Sequence, residues 1–144
     1  LEEGVHGTLI LVDVDHFKAV NDTHGHQRGD EVLRQVGAGL EQLARREDIA
    51  ARYGGEEFVV LLPGVDGAGA SAFAERVRAR LRDGVDAVPI TVSAGVACYP
   101  ENAIDLDALV GRADAALYEA KRGGRDRVVT STVHARPAAG ADAG

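Results

Sequence analysis

The chain holds one cysteine and neither tryptophan nor methionine, and its aromatic content of 4% comes from three tyrosines and three phenylalanines. Cys98 alone cannot close an internal disulfide, and no Cys/His cluster has zinc spacing, so a disulfide scaffold and a zinc module are both excluded. It reads instead as a small buried filler. A lone cysteine suits a reducing compartment, and a cytoplasmic location is expected, although a parent protein could be membrane-anchored. Long apolar runs are also missing. None approaches the ~20 residues that cross a bilayer, and the acidic start Leu1-Glu2-Glu3 lacks signal-peptide character, so no membrane contact by this domain is expected. A basic excess is absent too: the net charge of −7 and pI near 5.1 argue against a nonspecific nucleic-acid binder, and no nucleic-acid partner is expected.

What is present is enough chain, 144 residues, for one domain whose core needs no staples. Thr8-Leu9-Ile10-Leu11-Val12 reads as a buried strand followed by a loop. Val32, Leu33, Val36, Leu40 and Leu43 then recur at helical spacing, with Asp30 where an N-cap belongs. Residues 49–53 and 58–62 flank Gly54-Gly55 as a hairpin, closed by Pro63-Gly64. Phe73, Val77 and Leu81 share one face of a second helix that Gly84 stops, and residues 89–98 are β-rich. Leu106, Leu109, Val110, Ala113 and Leu117 predict a third helix ending at Gly123-Gly124, after which residues 125–130 can add a short strand. The order β-α-β-β-α-β followed by α-β predicts an α+β fold: a ferredoxin-like core whose mostly antiparallel sheet is flanked by helices. The domain is drawn at residues 1–130, and residues 131–144, rich in Ala, Gly and Pro without an apolar period, are expected to be a disordered tail.

The chemistry concentrates in residues 52–63, Arg-Tyr-Gly-Gly-Glu-Glu-Phe-Val-Val-Leu-Leu-Pro. Two glycines between β-type runs leave room for something to approach the backbone, and the adjacent carboxylates of Glu56 and Glu57 are costly there unless a cation compensates them. The strand ending in Asp13-Val14-Asp15 would bring another carboxylate to the hairpin, and a hard divalent ion, Mg²⁺ above all, suits such oxygen ligands. The structural alternative is an acidic turn in water, but that alternative does not call for Asp13 at a strand end.

With these pieces in place the chain resembles the GGDEF family, the diguanylate cyclases that join two GTP into cyclic di-GMP. The resemblance rests on Asp13-Val14-Asp15-His16-Phe17-Lys18, Asn21-Asp22-Thr23, Gly25-His26, Gly29-Asp30, the hairpin from Gly54 to Phe58, Thr91-Val92-Ser93-Ala94-Gly95-Val96, and Arg112-Ala113-Asp114-Ala115-Ala116-Leu117-Tyr118 with Ala120-Lys121 and Gly124-Arg125. These motifs stand in family order over roughly residues 8–128. The resemblance implies a palm-like fold and bacterial second-messenger signalling. It also implies that Asp13, the Val14 carbonyl and Glu56 hold Mg²⁺ or Mn²⁺, with Glu57 available to a second ion and Glu56 the candidate base. Asn21 and Asp30 match guanine-reading positions, a role that amide and carboxylate chemistry suits. Asp30 as N-cap and Asn21 as a turn residue are the structural alternatives. His26 would line the pocket or simply pack. Backbone amides around Phe17 and Lys18 would meet the β- and γ-phosphates, while Lys18, Lys121 and Arg125 supply positive charge. For Lys121 and Arg125, proximity to a helix C-terminus is a sufficient structural reason on its own.

Arg45 and Asp48 match the family's Arg-x-x-Asp inhibitory site for cyclic di-GMP, with Arg76 as a secondary arginine. Arginine can grip guanine or phosphate in bidentate fashion and aspartate can accept from guanine N–H groups. A solvated charge cluster closing a helix is the bland alternative. The implied enzyme is a diguanylate cyclase needing a homodimer, inhibited by its product, and feeble as an isolated domain, since two GTP must be held face to face. The rival is a non-catalytic cyclic di-GMP or GTP receptor of the same fold; the intact Glu56-Glu57 pair argues against it. Family domains open with a helical segment carrying Asp-x-Leu-Thr and Asn-Arg signatures, and nothing like it precedes Leu9. The chain therefore reads as N-terminally trimmed, with an input domain upstream and apolar sheet surface exposed by the trimming.

Overall fold

Gly7–Val14 forms β1, and its burial on both faces after the first residue puts it in the middle of the sheet. A computed structural model of the chain describes residues 5–85 and 87–135. After β1 come α1 (Phe17–His24), α2 (His26–Leu43), β2 (Ile49–Gly54), β3 (Glu57–Pro63), α3 (Gly67–Arg82), β4 (Val92–Tyr99), α4 (Leu106–Arg122) and β5 (Val128–Thr130). The strand order is β2-β3-β1-β4-β5. β1 pairs antiparallel with both β3 and β4, β2 with β3, and only β5 runs parallel to its neighbour, β4. This is the expected α+β, ferredoxin-like arrangement, with α4 supplying the crossover that a parallel β4/β5 pair requires.

Alternation along β1 divides the core. Ile10, Val12 and Val14 face a large cluster built with α2, α3 and Val20 of α1, while Leu9 and Leu11 face Leu109, Ala113 and Leu117 of α4. Each buried Val, Leu or Ile contributes roughly 1.5–3 kcal/mol relative to exposure, so β1 anchors both layers. Gly95 allows α4 to lie directly on β4: a β-carbon there would fall 2.1 Å from the Ala113 carbonyl oxygen. That close seating brings the C-terminal end of α4 over the end of β1. No helix among the described residues is long and apolar enough to cross a membrane.

Two expectations change. The segment read as a loop after β1 contains α1, and α2 starts at His26, so Asp30 lies a full turn inside a helix and is not its N-cap. The α1 sequence hides its helicity because Asn21, Asp22 and Thr23 are weak helix formers. The helix is held by packing against α2 instead. Gly29 is the contact point, with no room for a β-carbon beside the Asn21 amide and the Phe17 ring. The second change is at the expected tail. Residues 131–135 are tied down, Ser131 N–H donating to Val96 O at 2.8 Å and the Asn102 side chain donating to Val133 O at 2.8 Å. Ala135 N–H also donates to Glu101 O. Order thus extends past the boundary drawn at 130, because Asn102 satisfies backbone groups that a free tail would leave to water. Residues 136–144 lie outside the described residues.

Candidate active site

Pairing of β1 with β3 sets Asp13 opposite Glu57, and Val14 N–H donates to the Glu56 carbonyl at 3.1 Å. The hairpin therefore delivers its two glutamates to the end of β1. Gly54 ends β2, and Gly55 turns at φ +30°. A β-carbon at either glycine would meet nothing within 4 Å, so the space above the turn is open to a ligand. Arg52 closes the turn from beneath, donating from Nε and Nη2 to Gly55 O at 2.9 and 2.6 Å.

Asp13 is only 4% exposed. Its partner is Lys121, from the last turn of α4, with Nζ 2.5 Å from Oδ2. Burial raises the Asp13 carboxyl above its ordinary value; Lys121 opposes that shift, and repulsion from Glu56 and Asp15 adds to it. Glu57 is likewise raised, first by burial, then by repulsion from Asp13, Asp114 and Glu56 against the attraction of Lys121. Burial pulls the Lys121 ammonium down, but the hydrogen bond and charge of Asp13, with Glu57 and Glu56 behind it, leave it raised overall. Three carboxylates thus share one ammonium, and the site is short of positive charge.

These donors suit a hard divalent cation: all are oxygens, and their mutual repulsion is what such an ion relieves. Among the described residues no three acidic, histidine or cysteine side chains already stand together as a ready cage. The fit therefore lies in donor chemistry and charge, with Lys121 supplying the positive charge at Asp13. Asp15 is not a free donor. It is buried, and its carboxylate accepts from Thr91 Oγ1 and Ser93 Oγ, both at 2.7 Å, and from Asp126 N–H at 3.0 Å.

The α1/α2 corner carries the expected base-reading residues. Asn21 Oδ1 is buried without a hydrogen-bond partner, pressed against Gly29. An unmatched buried acceptor costs about 1–3 kcal/mol, and with its oxygen closed off by Gly29 the Asn21 side chain must turn before a ligand N–H can meet it. Asp30 follows Gly29 and lines an open cleft of about 640 Å³ between α2 and β2. His26, as the first residue of α2, is exposed, and so is Lys18 in the first turn of α1; Phe17 is half-buried against the core. Arg125 sits past the end of α4 in a left-handed conformation, φ +63°, its N–H bonded to Ala120 O at 3.0 Å.

Arg45 and Asp48 are bonded to each other. Arg45 Nη2 donates to Asp48 Oδ1 at 2.7 Å, Nε reaches both carboxylate oxygens, and the Arg45 N–H donates to Oδ2 at 2.7 Å. The hydrogen bond from Arg45 holds the Asp48 carboxyl below its ordinary value. Arg45 Nη2 also donates to Pro63 O, fastening the pair to the end of β3. Arg76 is exposed on α3, its guanidinium 5.8 Å from the Phe73 ring centre.

Sequence reasoning gave no role to Gly29, Asp15, Arg52 or Arg78. Gly29, Asp15 and Arg52 lie within segments that carry the chemistry, whereas Arg78 acts on Asp126, 48 residues away, which no local spacing reveals.

Residues 1–127 match the family described as diguanylate cyclase, GGDEF domain. Diguanylate cyclase A of Treponema denticola is 42% identical over 130 residues, covering 86% of this chain and 35% of that protein. The chain thus spans about a third of the length of this curated relative. Among solved structures, the GGDEF domain of DgcB from Caulobacter crescentus in complex with c-di-GMP superposes with a TM-score of 0.82 at 38% identity, covering 89% of this chain and 79% of that one. The active GGEEF domain of a diguanylate cyclase from Vibrio cholerae gives a TM-score of 0.82 at 32% identity, with 88% and 83% coverage.

Proposed function

This chain belongs to the GGDEF domain family, and we propose on that basis that it is a diguanylate cyclase domain, condensing two GTP into cyclic di-GMP and two pyrophosphates. The observation that carries this reading is the convergence of Asp13 from β1, Glu56 and Glu57 from the β2–β3 hairpin and Lys121 from α4 around one cation-seeking spot. The hairpin carries Glu56-Glu57, as the GGEEF motif of the Vibrio cholerae domain does.

Asp13, Glu56 and the Val14 carbonyl would hold Mg²⁺ or Mn²⁺, with Glu57 as a further ligand; such an ion, when bound, neutralises charge at the α-phosphate and makes a hydroxyl more acidic. Asn21 and Asp30 hold the guanine, the first through its carboxamide, the second by accepting base N–H groups. The backbone amides at Phe17 and Lys18, together with the Lys18, Lys121 and Arg125 side chains, grip the polyphosphate, and His26 borders the pocket. Glu56 takes the proton from the 3′-hydroxyl. Each domain presents one GTP, so two copies must meet face to face, which turns a two-body encounter into a near-unimolecular step. Arg45, Asp48 and Arg76 would bind the cyclic di-GMP product and restrain the enzyme.

The test is production of cyclic di-GMP from GTP and Mg²⁺ by a dimer-enforced form of the chain. Glu56→Gln is expected to abolish product while GTP still binds. Absence of product from the intact, dimeric protein would refute the cyclase assignment and leave a nucleotide receptor.

A further inference from the structure

Arg125 and Asp126 are consecutive non-glycine residues in left-handed backbone, at φ +63° and +48°. L-residues avoid that region, a bulky side chain most of all, so two in succession persist only where their surroundings dictate them. Those surroundings are a clamp with two jaws. From the sheet, the buried Asp15 carboxylate accepts the Asp126 N–H at 3.0 Å while Thr91 and Ser93 hold its orientation. From α3, Arg78 Nη2 donates to Asp126 O at 2.6 Å and to Oδ1 at 2.9 Å. Its other amino group is engaged by Glu75, and its Nε is buried with no partner. Arg78 is only 12% exposed, so its guanidinium has little freedom to swing away. Arg127 completes the lock, its Nε donating to Arg125 O and its own carbonyl accepting from Ala94 N–H.

We propose that Asp15 and Arg78 are positioning residues that, by gripping Asp126 from opposite sides, hold Arg125 in the left-handed conformation from which its guanidinium meets the triphosphate. This rests on Arg125 being a phosphate contact, as proposed above. The Asp15 and Arg78 hydrogen bonds offset the cost of this backbone between α4 and β5. A cation preset in this way loses little freedom when polyphosphate binds. The dependence is directional: releasing Asp126 weakens the grip on phosphate and leaves the guanine-reading corner on α1 and α2 untouched.

The experiment compares Mg²⁺-GTP and GMP affinities for the wild-type chain, Arg125→Ala, Arg78→Ala, their double variant and Asp126→Asn, each checked for an unchanged folded baseline. Arg78→Ala should weaken GTP about tenfold and leave GMP within twofold, and adding it to Arg125→Ala should cost nothing further. Asp126→Asn, which keeps the Oδ1 acceptor, should bind GTP nearly as the wild type does. An Arg78→Ala protein that loses GTP and GMP equally, or neither, or whose loss adds in full to that of Arg125→Ala, overturns the clamp while the cyclase assignment stands. If Arg125→Ala itself leaves GTP binding unchanged, the phosphate role of Arg125 fails and the clamp fails with it.

Discussion

Replacing Glu57 by glutamine should make the protein more stable in the absence of metal while impairing its response to Mg²⁺. Glu57 stands directly opposite Asp13 across the β1/β3 pair, and like charges so placed are destabilising. At a separation of ~5 Å the repulsion is about 0.8 kcal/mol even at the dielectric of bulk water. Lys121 offsets part of it, yet the Glu57 carboxyl remains raised above its ordinary value of 4.5, so the folded protein is better off with the group neutral. A net gain of roughly 0.5–1 kcal/mol corresponds to a Tm increase of about 2–4 °C for a domain of this size. The pH dependence has a defined sign. Asp13 and Glu57 both have raised folded values, so protonation favours the folded state; the penalty is absent below the unfolded values of 3.8 and 4.5 and grows as pH rises through the folded ones. The glutamine advantage should therefore be full near pH 8 and shrink as the solution is acidified. Thermal unfolding in EDTA at several pH values measures this, and a parallel series with Mg²⁺ measures the second half. A cation at 100 times its Kd adds about 2.7 kcal/mol of stability, and the variant should gain less than the wild type. A glutamine variant no more stable than wild type at pH 8, or an advantage that persists unchanged into acid, would show that Glu57 is already compensated and that the site is not starved of positive charge.

Gly29→Ala places a β-carbon 1.8 Å from Asn21 Oδ1, at the end of a side chain that can swing aside, so the fold should survive while the KM for GTP rises about tenfold and the preference for GTP over ATP falls. Steady-state kinetics with both nucleotides decides it, and an unchanged GTP/ATP ratio would remove Asn21 from guanine reading. Arg45→Ala should weaken cyclic di-GMP about tenfold by titration calorimetry without altering GTP affinity, and unchanged product affinity would refute the inhibitory-site assignment. The same variant should lower the Tm at neutral pH, with the loss holding down to the unfolded Asp48 value of 3.8 and fading only below it, as pH falls through the depressed folded value.

The hairpin and the core strands were legible because their signals are local: alternation or continuous apolar runs bounded by Gly and Pro, with Gly54-Gly55 breaking between β2 and β3. The end of α4 at Gly123 was legible for the same reason. α1 was not, since Asn21, Asp22 and Thr23 argue locally against a helix, and it is burial of Val20 and Phe17 and the fit against Gly29 that hold it in place. Asp30 misled in the same way. It has the chemistry of an N-cap, but the helix began earlier, at the Gly25 turn, leaving its carboxylate with no capping duty.

That freedom bears on function. A carboxylate required as a cap is already committed to backbone N–H groups, whereas Asp30, exposed beside the cleft, keeps its lone pairs for a base. Asp15 makes the opposite case: it sits in the same Asp-Val-Asp run as Asp13, yet three donors engage both oxygens of its carboxylate. Two like residues in one motif are thus divided into a cation-seeking group and a structural anchor by neighbours as distant as Asp126, 111 residues along the chain from Asp15. Motif spacing cannot draw that division, because it depends on which carboxylate meets hydroxyls and amides and which meets only one ammonium and other carboxylates.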